Sequence, residues 1–279
     1  MNPVKKPTFF SVYNDLAGSF LRYMALSGDC SVEEIHLLRL DVKSLRTVLD
    51  LVEFIMQKKS ATRELRAMLS RIFDKAGDVR TAQMNLALLR MGRAGVVEAY
   101  ERALLDEEME SRRELNRLMT AFDRERFQRL AGDTGVLIAG LENARVAVYA
   151  AKFIRGRYDA IFRILKKVRT PRDLHEIRIN VKSVRNAIRL ISGWGRGRRT
   201  GIEERIVKTA DQALGTWHDG IVFAEHLRRF ISKHRKSPAR RELNALALER
   251  AEKNDAGFSG IVRETRQRMT ALRTALELY

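Results

Sequence analysis

The residues best equipped for chemistry in this chain form a row that occurs twice. His36, Arg39, Lys43 and Arg46 stand at relative positions 0, +3, +7 and +10, and His175, Arg178, Lys182 and Arg185 repeat that spacing. On a helix turning ~100° per residue these positions fall within a stripe ~80° wide, so each set presents its donors on one face. Arg189 extends the second row at +14, where the first copy has Asp50. Cations advancing ~5 Å per turn along a rigid helix suit an extended chain of phosphates. Arg grips phosphate bidentately, Lys acts as a point charge, and His supplies an N–H donor whose protonation rises beside an anion. Acidic neighbours such as Glu33, Asp41 and Glu176 screen parts of the rows, but few carboxylates share the stripe itself.

The elements that carry these rows read as helices. Leu38, Val42, Leu45, Leu49 and Val52 form an apolar stripe beside the first row, and Ile177, Val181, Val184, Ile188 and Ile191 do so beside the second. The segments 35–52 and 174–191 align with seven identities in eighteen positions, the signature of a duplication. Register continues into the following helix, where Gly77 in AGDVRT (76–81) and Gly215 in LGTWHD (214–219) lie at nearly the same distance beyond the histidine. Only four prolines occur, and none falls between Pro7 and Pro171. Pro171 and Pro238 mark helix starts, where a missing N–H costs nothing. The periodicity predicts an all-α chain with helices over 8–27, 31–57, 61–92, 95–130, 136–168, 172–192, 201–233 and 239–278, with breaks allowed near Gly95 and Asn254–Gly257. The AGDTG at 131–135 reads as a turn. It divides the chain into two tandem up-and-down four-helix bundles, 1–135 and 136–279.

Charge follows the same division. The 279 residues carry 53 Lys+Arg against 35 Asp+Glu, a net +18 that points to a polyanionic partner. Residues 1–135 contribute +2 and residues 136–279 contribute +16. Further basic residues gather at Lys166, Lys167, Arg169 and Arg172, at Arg196, Arg198 and Arg199, and at Lys233, Arg235, Lys236, Arg240 and Arg241. A hydrophobic fraction of 45% is enough to build a core and excludes disorder as the main description. A single cysteine, Cys30, excludes a disulfide framework and a multi-cysteine metal site, and fits a reducing, cytoplasmic setting. No stretch approaches the ~18 apolar residues of a membrane span, and MNPVKKPTFF carries no signal-peptide core.

The doubled His-x-x-Arg-x-x-x-Lys-x-x-Arg helix, followed by a Gly-x-x-(Arg/His) element, resembles the CHAD family, the conserved histidine α-helical domain. The resemblance covers nearly the whole chain. It implies two four-helix bundles related by a pseudo-twofold axis, a basic groove between them, binding of inorganic polyphosphate, and association with polyphosphate granules. Carried over by position, it implies a basic surface lined by His36, Arg39, Lys43, Arg46, His175, Arg178, Lys182 and Arg185. Arg80 matches the basic position of the family's Gly-x-x-Arg-Asp pattern, with Thr81 in place of Asp. In the second copy His218 replaces Arg and Asp219 is present.

Other chemistry has less support in the sequence. Glu108-Met109-Glu110-Ser111-Arg112 approximates the Glu-x-Glu-x-Lys of triphosphate-tunnel domains, but it ends in Arg and lies in a helical, acidic segment. His175, His218, His226 and His234 form no His-x-x-x-His or Glu-x-x-His metal pattern, and no phosphate-binding Gly loop is present. Trp194 and Trp217 read as core or groove residues more than as base-stacking platforms. The expectation is therefore a non-catalytic module without cofactor or metal, whose partner is inorganic polyphosphate or another phosphate-rich polyanion. A nucleic-acid-binding protein and a phosphoanhydride hydrolase are the alternatives. The +16 against +2 imbalance predicts that replacing Arg178, Lys182 and Arg185 weakens binding more than replacing Arg39, Lys43 and Arg46.

Overall fold

The computed structural model describes residues 8–26, 30–58, 62–92, 98–194, 200–236 and 238–277. Among them are nine α-helices and no strand: α1 (Phe9–Ala25), α2 (Val32–Met56), α3 (Arg63–Gly92), α4 (Glu98–Thr120), α5 (Arg124–Ala139), α6 (Asn143–Leu165), α7 (Pro171–Trp194), α8 (Thr200–Lys233) and α9 (Arg240–Glu277). The chain is all-α, as its periodicity requires.

Two elements differ from the sequence expectation. The helix expected over 95–130 is broken at residues 121–123, where Asp123 caps α5 by accepting from the Arg126 amide at 2.9 Å. Phe122 turns inward against Phe20 and Phe127 at the same break, so local capping and aromatic packing outweigh the continuous periodicity. The AGDTG at 131–135 is not a turn but the middle of α5. Its small residues let α5 lie close against α1: the Tyr13 hydroxyl donates to the Ala131 carbonyl at 2.8 Å, and a Cβ on Gly135 would rest 3.5 Å from Phe10. Thr134 accommodates itself by bonding back to the Leu130 carbonyl. The expected boundary at 135 thus falls inside a helix, and the passage between the repeats comes at residues 140–142, between α5 and α6. No break occurs at Asn254–Gly257, where the Asn254 carbonyl accepts from the Trp217 indole and α9 continues.

Each histidine helix starts in the same way. Ser31 caps α2 through a reciprocal pair with Glu34, and Thr170 precedes α7 with a matching pair to Asp173. In both copies the histidine follows the cap by the same number of residues, so the cap sets where the basic row begins.

The core runs through both repeats. Phe20, Val48 and Leu51 belong to the same buried cluster as Val146, Val181 and Leu214, and α2 packs on α6 and α7 as well as on α1 and α3. Val48, Leu49, Leu51 and Val52 are all fully buried, each stabilising the fold by roughly 1.5–3 kcal/mol. A second, smaller cluster joins Leu86, Tyr100 and Leu104 of α3 and α4 to Phe223, Leu227 and Phe230 of α8. The repeats meet at several places, two of which bound the site: α2 on α7 and α3 on α8.

Candidate functional site

Between those two contacts lies a cleft of about 620 Å³ walled by α2, α3, α7 and α8. Its lining includes six Lys or Arg side chains, Arg39, Lys43, Arg46, Arg80, Arg178 and Lys182, with His36 and His218, against two carboxylates, Asp50 and Asp219. Eight of the eleven residues singled out from sequence thus share one surface. The other three do not line it. His175 stacks on His218, ring centroids 5.0 Å apart and 28° between planes, and so supports the lining residue from behind. Arg185 is ion-paired to Asp211. Arg189 is exposed and outside the cleft, while Asp50 at the equivalent +14 position lines it and pairs with Arg66 at 2.9 Å.

The first row is organised around Phe73. Arg39 lies over its ring at 4.3 Å and donates to its backbone carbonyl at 2.7 Å, and Arg46 lies over the same ring at 5.1 Å. Gly77, one turn further along α3, makes room for this: a Cβ there would sit 2.8 Å from the Arg39 Nη1. In the second row Arg178 lies 3.9 Å from Asp219, and its Nε is buried without a hydrogen-bond partner, as is the Nδ1 of His218.

Crowding of like charge shapes the electrostatics. Burial, and then Arg178 and Lys43, push the Lys182 ammonium down to about 8. Lys43 is lowered by burial and by Arg39, Arg178 and Arg185, and it in turn lowers Lys182, so the two lysines at equivalent positions of the rows crowd one another. His175 is lowered by burial, by His218, and by Arg178 and Lys182, which favours the neutral ring. Burial also works against the charged forms of Arg39 and Arg178. The cleft therefore concentrates positive charge that the two carboxylates in its lining only partly offset.

The remaining expectations fall elsewhere. Lys166, Lys167, Arg169 and Arg172 at the α6–α7 turn, and Lys233, Arg235, Lys236, Arg240 and Arg241 at the α8–α9 turn, are exposed and outside the cleft. Arg196, Arg198, Arg199 and the Trp194 side chain lie outside the described residues. Trp217 is buried in the core. Glu108 and Arg112 pair with each other at 3.0 Å, and Arg112 also donates to the Cys30 carbonyl, so this string staples helices together. His226 links Tyr100 and Glu107 across the two repeats, at 2.9 and 2.8 Å, and His234 stacks on Phe230. Among the described residues, no three His, Cys, Asp or Glu side chains come together to hold a metal ion, and no helix is long and apolar enough to cross a membrane. Phe73, in the lining, and Asp211, behind it, are the residues that motif spacing missed. Aligning the third helices on Gly77 and Gly215 places Phe73 opposite Asp211 and makes both visible.

The same architecture is found in solved structures. The crystal structure of the CHAD domain from the plant Ricinus communis is similar with a TM-score of 0.67 at 16% identity, over 91% of this chain and 90% of that one. PptA from Streptomyces chartreusis is similar with a TM-score of 0.62 at 18% identity, over 97% and 99%. At these identities the likeness shows the fold. No curated protein sequence matches. The CHAD domain family model matches residues 21–228, which take in both histidine helices and all four walls of the cleft, and the chain belongs to the CHAD domain family.

Proposed function

We propose that the cleft binds inorganic polyphosphate and that the protein is a non-catalytic polyphosphate-binding module associated with polyphosphate granules in the cytoplasm. The observation that carries this reading is the convergence of both basic rows, with Arg80 and His218, on one surface holding six Lys or Arg against two carboxylates. A flexible single chain of phosphates can enter a cleft between four helices, whereas a nucleic-acid duplex presents its phosphates on a rigid, wide cylinder that the walls would exclude. The carboxylates at the cleft are already engaged, Asp50 with Arg66 and Asp219 beside Arg178. Among the described residues this leaves no unengaged carboxylate pair in the cleft lining to position a magnesium ion for hydrolysis, which supports binding over catalysis.

Titration of long-chain polyphosphate into the wild-type protein at increasing salt tests the reading. Affinity should fall steeply with salt, because each phosphate neutralised releases counterions, with a slope of roughly 0.7 per contact for a single strand. Replacement of the cleft cations of both rows together, Arg39, Lys43, Arg46, Arg178 and Lys182, by alanine should remove most of that dependence. Equal or tighter binding of duplex DNA at matched phosphate concentration would favour the nucleic-acid alternative, and release of phosphate from the polymer would favour the hydrolase.

A further inference from the structure

The two basic rows are nearly identical in sequence, yet the helix behind each treats its arginines differently. Aligning Gly77 with Gly215 pairs buried Leu69 with Val207, Ile72 with Ala210, Ala76 with Leu214 and Val79 with Trp217, so the third helices share one inward face. At one position on that face the chemistry changes sign: Phe73 in α3 corresponds to Asp211 in α8.

The Phe73 ring holds Arg39 and Arg46 in place without an ion pair to either, although Asp74 and Asp78 favour the charged form of Arg39 from a distance. Asp211 is only 8% exposed and does not line the cleft. It binds Arg185 directly and lies close enough to Lys43, Arg178 and Lys182 to favour their charged forms. One of its oxygens, Oδ1, has no hydrogen-bond partner. The neighbouring exchange acts in the same sense, since Asp219 stands beside Arg178 where the first repeat has Thr81.

We infer that the cleft is electrostatically two-sided: Phe73 and Asp211 are positioning residues that make the first row the main grip on the ligand and hold the second row under a resident counter-anion. A phosphate approaching Arg185 or Arg178 competes with a carboxylate already there, whereas among the described residues Arg39 and Arg46 have no ion-paired carboxylate to displace, Asp74 and Asp78 acting on Arg39 only from a distance. Whole-chain charge counting ranks the second row first, and the local geometry reverses that order. This inference rests on the reading of the cleft as a polyphosphate site.

The test measures polyphosphate affinity, its salt slope, and the unfolding temperature of the ligand-free protein. Asp211→Asn should tighten binding several-fold and steepen the salt slope by about one phosphate contact. It should also lower the unfolding temperature, because four cations lose their shared counterion. A carboxylate with a purely structural role would lower stability and affinity together, so the opposite signs are diagnostic. Phe73→Asp should weaken binding at least tenfold, with Phe73→Leu as the control that keeps apolar volume in the helix. Should Phe73→Asp not fold, the two alanine triples decide: loss of Arg39, Lys43 and Arg46 must cost more than loss of Arg178, Lys182 and Arg185. Unchanged or weaker binding by Asp211→Asn, or the reverse order of the triples, overturns the inference while leaving the site reading intact. Failure of the wild-type protein to bind polyphosphate sinks the site reading and this inference with it.

Discussion

Two glycines at equivalent positions in the repeats should respond oppositely to the same substitution. Alanine in a helix interior is ordinarily preferred to glycine by about 0.5–1 kcal/mol, because it restricts the unfolded chain. Around Gly215 of α8 nothing lies within 4 Å of an added Cβ, so Gly215→Ala should collect that whole gain. For a chain of this size it should melt higher by about 2–4 °C per kcal/mol. At Gly77 the added Cβ would stand 2.8 Å from the Arg39 Nη1, well inside the ~3.5 Å of an ordinary contact. The guanidinium can swing away, but only by giving up its 2.7 Å bond to the Phe73 carbonyl. A hydrogen bond from a charged donor contributes about 1.5–3 kcal/mol, so the helix gain is outweighed and Gly77→Ala should be net destabilising by about 1 kcal/mol. Displacing Arg39 from its ring should also weaken polyphosphate binding several-fold, whereas Gly215→Ala leaves affinity unchanged. Paired thermal melts and titrations of the two variants decide the matter. If Gly77→Ala melts as high as Gly215→Ala and binds like wild type, the account of how Arg39 is seated is wrong.

Binding should also depend on pH through Lys182. With its ammonium depressed to about 8 by burial and by Arg178 and Lys43, the empty cleft releases a proton that the unfolded chain still holds. From pH 8 to about 10 the unfolded state binds more protons, so this group makes the ligand-free protein more stable as pH rises, and a bound polyanion must restore the proton. Polyphosphate affinity should therefore fall above pH 8, approaching tenfold per pH unit for one proton, and Lys182→Arg should flatten the fall; a pH-independent affinity from 7 to 9.5 would refute it. Separately, Asn85 is fully buried in α3 with neither amide atom hydrogen-bonded, and its counterpart in the second repeat is the buried Phe223. Asn85→Leu should relieve a desolvation cost of about 1–3 kcal/mol and raise the melting temperature without changing affinity; a lower melting temperature would show that the amide is satisfied in solution.

Much of this was legible because helices announce themselves by period. The basic rows and apolar stripes of α2 and α7 follow from spacing alone, whereas the meeting of His36, Arg39, Lys43 and Arg46 with Arg178 and Lys182 in one cleft is implied only by the resemblance to the CHAD family. What spacing cannot supply is the angle at which a row leaves the cleft. Arg189 and Asp50 occupy the same register, yet the arginine is exposed outside the cleft and the aspartate lines it, paired to Arg66. Nor does a run of small residues declare whether it is a turn or a helix surface: AGDTG became the face on which α1 lies, since Tyr13 and Phe10 fill the space its side chains leave. Phe73 and Asp211 were hidden for a different reason. Neither belongs to the motif, and each matters only through the arginines it holds.

The single core that joins the repeats has a consequence for what the cleft can become. A symmetric pair of separate subunits must present the same residue twice, so any change to one wall is a change to both. Here α2 is embedded against α6 and α7 of the same chain, and residues 140–142 tether the repeats covalently. One wall can then drift while the other is kept. A phenyl ring on one side and a carboxylate on the other is a division of labour open only to a duplicated chain, in which the repeat survives in the spacing of the rows and has been given up in the residues behind them.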